Sequence, residues 1–391
     1  MADSYDIWLS CAISSVKHIR LLLERFHTAE GVFYADSKSI SEIPDLTSTE
    51  VGFLTSPKKE ENRACQYEYI VKNDINVFRF DEPDYPKRFI HLEDAPYCVF
   101  VQGKLPAENT PSIAIVGSRK ASTYGLNTAA LFASDLAHNG VCIISGLAMG
   151  IDGAAHQAAL PFEGRTVGIL GSGIGVPYPK ENWSLYYKMR EQACILSEYG
   201  PQVPPLRQNF PHRNRLIAAM SDGILVVEAA EKSGTLITVD RGLEQGKDIY
   251  AIPGRISDRT STGCNNLIKQ GAKLVTSPEE ILEELAMISP DFMQYRKQSE
   301  QLCFDFSNDK SNCSELSNNS ENIYLGIAST EKVVYSLIRL DAKHFDELAL
   351  ESGLSVSELS QVLFSLESRG YVQQNLPNFY SKTNRSAEGI E

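Results

Sequence analysis

The sequence predicts an α/β fold, a parallel sheet wrapped by helices, with a small helical domain before it and a winged-helix domain after it. Three observations carry that expectation. Short β-prone runs alternate with helical patterns from Ser112 to about Ala286, residues 1–75 show helical spacing alone, and the segment after Ala328 reads as three helices followed by two short strand-like pieces. Strands that alternate with helices pair in parallel under a cover of helices, and such sheets take ligands outside the carboxyl ends of their strands.

In chain order, the first element is helical. Ile13, Val16, Ile19, Leu22, Leu23 and Phe26 recur at helical spacing, and Gly31 is placed to stop the run. Ser39–Leu54 suggests a further short helix or two. A small domain of this kind is similar to SAM or helix-hairpin-helix modules, but Ser14 and Ser15 stand where a DNA-gripping hairpin carries glycine. Asp81–Lys104 is punctuated by proline, ends in the strand-like run Tyr97–Val101, and reads as a connector laid onto the next domain. The strands expected in the core are Ser112–Val116, Val141–Ser145, Thr166–Leu170, Cys194–Ser197, Gly223–Val227, Asp248–Ile252 and Lys273–Val275. Polar or Gly-rich loops follow these strands and gather on one rim.

Residues 289–328 are rich in Ser, Asn, Gln and charge and read as a flexible linker. Helices are expected after it at Glu331–Arg339, Phe345–Ser352 and Ser355–Ser368, the order of a winged helix-turn-helix. The third helix carries Glu358 and Glu367 with no Lys or Arg, which favours protein contact over reading a DNA groove. The expected domains are therefore 1–75, 81–288 and 329–383, with 289–328 between the last two.

Composition narrows the function classes. The formal net charge is −13, yet 19 acidic and 9 basic residues lie between Ser277 and Glu391, so the preceding residues are nearly balanced. Two windows there hold bases and no acids: Ser112–Ser134 with Arg119 and Lys120, and Tyr199–Ser221 with Arg207, Arg213 and Arg215. Salt screens beyond about 8–10 Å, so local potential decides what binds. The eight cysteines form no C-x-x-C pair, and neither a zinc site nor a disulfide framework is expected. Cys98, Cys142 and Cys194 lie in apolar runs and read as buried thiols. No run reaches the roughly 18 apolar residues of a membrane span, and the N-terminus has no basic flank of a secretory leader. The expectation is a cytoplasmic protein without metal.

Candidate chemistry begins at Ser112–Ser122, SIAIVGSRKAS, which reads as strand, tight turn and helix start. The unpaired N–H groups of that helix end favour an anion. Gly117 permits close approach, Ser118 adds a hydroxyl and Arg119 a bidentate fork, so all three are candidate phosphate ligands. No G-x-x-G follows, so no dinucleotide is indicated. The second basic window places Phe210, His212, Arg213, Asn214 and Arg215 at a helix start, cations beside an aromatic ring, which suits single-stranded nucleic acid. The plainer alternative keeps Phe210 in the core and one Arg in an ion pair. Lys180 follows the Gly-rich loop Gly171–Gly175 as a possible phosphate contact, and Lys232, Ser233 and Gly234 form a possible anion nest before another helix. Asp152 and His156, four apart, read as a helix-terminal carboxylate holding a histidine.

Together, IAIVGSR, SGLAMGIDGAAHQAAL, GILGSGIGVPYPKEN, LSEYG, NFPHRNRLIAAMSDGILVVEAAEKSGTLIT and EQGKDIYAIPG resemble the DNA-processing protein A (Smf) family over Asp81–Ala286. The resemblance implies a Rossmann-like core that binds single-stranded DNA in natural transformation, forms a homodimer and helps load the RecA recombinase. It implies neither catalysis nor a required cofactor. It also implies that Gly117, Ser118 and Arg119 form the phosphate-gripping turn, Lys180 the contact of the Y-P-K loop, and Phe210–Arg215 the base-contacting segment. His212 stands where another strong base is expected, so for an unperturbed imidazole binding tightens below about pH 6.5. A second reading stays open: an enzyme of the nucleotide phosphoribohydrolase type, using Ser233, Gly234 and Thr235 with Glu228 or Glu231, although the fuller Pro-Gly-Gly element of such enzymes is missing.

Overall fold

The computed structural model describes residues 2–288, 331, 334–335, 337–338, 343–376 and 378–382; the expected linker 289–328 lies outside them. The chain begins with α1 Ser4–Ala12, α2 Val16–Phe26, α3 Ala29–Tyr34, α4 Ser37–Ser41, α5 Ser48–Leu54 and α6 Lys59–Lys72. Caps set the breaks. Asp3 and Asp6 form a reciprocal capping box on α1, and the Ser15 side chain accepts from the His18 N–H to start α2. The expected run through Ile13 is therefore interrupted, with Ile13 extended between the two helices. Gly31 does not stop it either: it lies within α3, and α2 ends at His27, whose φ is 68°.

The sheet contains β1 Asn76–Arg79, β2 Cys98–Gly103, β3 Ser112–Val116, β4 Cys142–Ser145, β5 Thr166–Ile169, β6 Cys194–Ser197, β7 Gly223–Val226, β8 Asp248–Ala251 and β9 Lys273–Leu274. Their order is β1-β2-β6-β5-β4-β3-β7-β8-β9. Every pairing from β6 through β9 is parallel, whereas β2 is antiparallel to both β6 and β1. The Pro-punctuated connector is thus part of the sheet: Phe100 pairs with Ser197, and Tyr85 and Phe89 are buried in the core.

The covering helices are α7 Thr123–His138, α8 Ile151–Ala159, α9 Trp183–Gln192, α10 Asn209–Met220, α11 Thr235–Glu244, α12 Thr262–Lys269 and α13 Pro278–Ile288. Side chains alternate across the sheet. Ile113 and Ile115 pack with Phe132, Leu136 and Ile281 on one face, and Ala114 and Val116 pack with Leu216, Val239 and Leu267 on the other. A third cluster joins Ile7 and Ile70 of the N-terminal helices to Phe100, Ile174 and Met189, so the helical segment shares a core with the sheet.

Toward the C-terminus, α14 Phe345–Ser352 ends at Gly353 (φ 67°), and α15 Val356–Ser368 opens with a Ser355–Glu358 capping box. Strands β10 Lys343–His344, β11 Val372–Leu376 and β12 Phe379–Lys382 form a separate antiparallel sheet in the order β10-β12-β11. Leu348, Leu359, Leu363, Leu366 and Val372 make its core, the arrangement of a winged helix. Among the described residues no helix is long and apolar enough to cross a membrane.

Candidate nucleic-acid interface

The loops after β3, β4 and β5 meet the first turn of α10 in a cleft lined by Arg119, Gly146, Ala148, Met149, Leu170, Gly171, Ser172, Tyr178, Pro179 and Phe210. No carboxylate lines it. Phe210 is the centre. Its ring lies 5.3 Å from that of Tyr178, centroid to centroid, and the guanidinium carbons of Arg119 and Arg213 lie 5.7 and 5.9 Å from it. Gly171 makes room for the ring, since a Cβ there would come within 2.8 Å of it. Arg119, Lys120 and Lys180 are exposed, and none is in an ion pair with a described residue.

Gly117 and Ser118 hold the turn beneath Arg119. The Ser118 N–H donates to the Glu228 carbonyl at 2.7 Å, and the Ser118 carbonyl accepts from the Ile151 N–H. Gly150 (φ 77°) sits so close to that carbonyl that no side chain fits. The helix end behind the turn is not open to a phosphate, which corrects the sequence expectation. The Glu228 carboxylate accepts from the Ser122 N–H at 2.9 Å and from the Ser122 hydroxyl, and that hydroxyl accepts from the Gly125 N–H. A buried anion of the chain itself occupies the α7 terminus.

The second basic window divides in the same way. Phe210 faces the cleft, but Arg213 and Arg215 are buried rather than directed outward, a second correction. Arg213 donates to the Gly146 and Ile169 carbonyls, tying α10 to the ends of β4 and β5. Burial pushes its guanidinium down to about 10, with nearby Asp152 as the largest opposing influence. Arg215 donates to Asp94 at 2.7 Å and Glu198 at 2.6 Å, and its side chain is only 5% exposed. Asn214 is half-buried, its side-chain oxygen accepting from Arg213.

His212 completes this ionic group. It lies 3.3 Å from Asp94 and 3.2 Å from Glu198, and those two carboxylates raise the imidazole to about 9. The ring is protonated at neutral pH, so the expected step in strand binding near pH 6.5 is withdrawn. A raised folded-state value stabilises the protein fully below about 6.5 and loses that contribution as pH rises through about 9. The difference in urea midpoint between wild type and His212→Ala is therefore expected to be largest at pH 6 and to shrink by pH 10. A constant difference across that range would contradict the assignment.

The remaining candidates lie apart. Lys232, Ser233 and Gly234 follow β7 and do not line the cleft. The Ser233 hydroxyl is occupied by Thr235, accepting from its N–H and donating to its hydroxyl. In the Gly-rich loop before Lys180, the Gly173 and Gly175 N–H groups donate to the Val203 and Pro201 carbonyls and so brace the loop. Asp152 does not hold His156: it accepts from the Gly146 N–H, while His156 contacts the Thr166 hydroxyl at 2.7 Å and burial lowers its imidazole to about 3. Tyr178 was missed in the sequence, although its place between Pro177 and Pro179 before Lys180 marked a loop. Among the described residues no group of three or more His, Cys, Asp or Glu side chains could hold a metal ion.

Comparison with known proteins matches residues 76–286 to the family described as DNA recombination-mediator protein A, and residues 326–375 to the DprA winged helix domain. The chain is 44% identical to Protein Smf of Escherichia coli over 235 residues, 60% of this chain and 62% of that protein. It is 45% identical to the DNA processing protein DprA of Streptococcus pneumoniae over 200 residues, 51% of this chain and 71% of that protein. The X-ray structure of the Streptococcus pneumoniae protein superposes with a TM-score of 0.60 at 36% identity, covering 72% of this chain and 98% of that one.

Proposed function

From the premise that this chain belongs to the DNA recombination-mediator protein A family, we propose that it binds single-stranded DNA in the Phe210 cleft, without reading sequence. The observation that carries the reading is the pairing of Phe210 and Tyr178 with Arg119 in a groove free of carboxylates. Every base has a face that stacks on an aromatic ring, so such a surface tolerates any sequence. Arg119, Lys120 and Lys180 stand exposed around it to pair with phosphates. The held strand is protected and passed to a RecA recombinase, and the working unit is a homodimer; both follow from the family resemblance. In this reading the protein carries a strand and breaks no bond.

Anisotropy of a labelled poly-dT oligonucleotide at several salt concentrations tests the proposal. Three cations releasing counterions from a single strand give a slope of log K against log salt near −2, from about 0.7 per phosphate contact. Mixed-sequence strands are expected to bind as tightly as other unstructured strands. An absence of binding at low salt would overturn the proposal.

A further inference from the structure

We infer that the strand path continues beyond the cleft along α9, over a stripe formed by the exposed Trp183 and Tyr187 and the half-buried Arg190. The inference rests on the strand-binding reading of the cleft and extends it. Residues four and then three apart share one face of a helix. The opposite side of α9, Leu185, Tyr186 and Met189, is buried, so the stripe faces outward. Trp183 and Tyr187 are 44% and 48% exposed, unusual for two large rings one turn apart.

The stripe begins at the cleft. The Trp183 indole N–H donates to the Pro177 carbonyl at 3.1 Å, fixing the ring against the loop that carries Tyr178 and Lys180. From there α9 runs back from the rim toward the start of β6, so its outer face leads away from Phe210. Lys180 lies at one end, and Lys188 and Arg190 lie toward the other, none in an ion pair with a described residue. Glu181 and Glu191 are the acids that flank it. Rings for bases, with cations beside them for phosphates, reproduce the chemistry of the cleft. Continuity with the cleft makes the occupant the next nucleotides of the same strand.

The sequence holds two tryptophans, and Trp8 is 1% exposed in the N-terminal core, so quenching of emission by a strand reports on Trp183. Wild type is titrated with dT oligonucleotides of about 6 and about 20 nucleotides, spanning the usual site sizes of strand-binding folds. Both are expected to bind, and only the longer to quench emission. Trp183→Ala with Tyr187→Ala is expected to bind the short strand as wild type does and to lose at least about tenfold for the long one. Trp183→Phe keeps a stacking ring, so it is expected to restore the long-strand affinity while abolishing the quench.

Undiminished long-strand affinity in the double variant, with no quench in wild type, would overturn the inference while leaving the cleft standing. The same result with an altered sedimentation coefficient would assign the stripe to contact between copies of the chain and overturn it equally. Failure of wild type to bind the short strand would instead overturn the reading of the cleft.

Discussion

A chain carrying Arg119→Ala and Phe210→Ala is expected to bind poly-dT on the order of 100-fold or more weakly than wild type. Base stacking on an aromatic ring contributes about 1–3 kcal/mol, and a hydrogen bond to a charged group about 1.5–3 kcal/mol. Each 1.4 kcal/mol is tenfold in affinity. The single variants separate the terms. Arg119→Ala flattens the salt slope by about 0.7, whereas Phe210→Ala weakens binding at every salt concentration and leaves the slope in place. Arg119 is exposed, so its loss is expected to change the unfolding midpoint little, whereas Phe210 is half-buried against Gly171 and Tyr178 and its loss is expected to lower the midpoint modestly. Anisotropy and urea titrations on the same preparations check both statements.

Arg215→Ala is expected to do the opposite: to destabilise the fold by about 3–5 kcal/mol and to leave the affinity of the folded protein within about twofold. Removing Arg215 leaves Glu198, as buried as the arginine, with only the more exposed His212 imidazolium at 3.2 Å to offset its charge. Replacing both Arg215 and Glu198 with leucine is expected to recover most of the loss, because the desolvation cost disappears with the pair. Urea unfolding of the two singles and the double measures the coupling. If Arg215→Ala instead weakened poly-dT binding and flattened its salt slope without changing stability, the arginine would be a phosphate contact, as the sequence alone suggested.

The contrast between Arg119 and Arg215 shows what sequence could and could not reveal. The strands from β3 to β9 were legible to within a residue or two because each apolar run is bounded by polar or glycine residues, and the rim of loops followed from their parallel order. Two basic windows free of acids also located the right end of the sheet. Which cation is free was not legible, because the neutralising acids come from elsewhere in the chain: Asp94 and Glu198 for Arg215, Asp152 for Arg213. The same holds for the α7 terminus. Its anion is Glu228, at the end of β7, and only the pairing of β3 with β7 brings the two together. That carboxylate fills the crevice where strand order reverses, the usual ligand position in such sheets, and the cleft lies toward β4 and β5 instead. β1 was overlooked because Asn76–Arg79 is not an apolar run: it begins and ends on polar residues and only Val77 in it is buried.

The antiparallel insertion of β2 beside β6 has a bearing on how the chain is made. Phe100 waits for Ser197, so a nascent chain that has already formed its N-terminal helices still exposes their inner side. At about 5–20 residues per second, the ribosome takes roughly 5–20 s to deliver the partner strand. During that interval Ile7, Ile70 and Phe100 have no completed core to enter. The first hundred residues are thus held in suspense by the middle of the chain, and chaperone engagement during synthesis is expected to fall in that window.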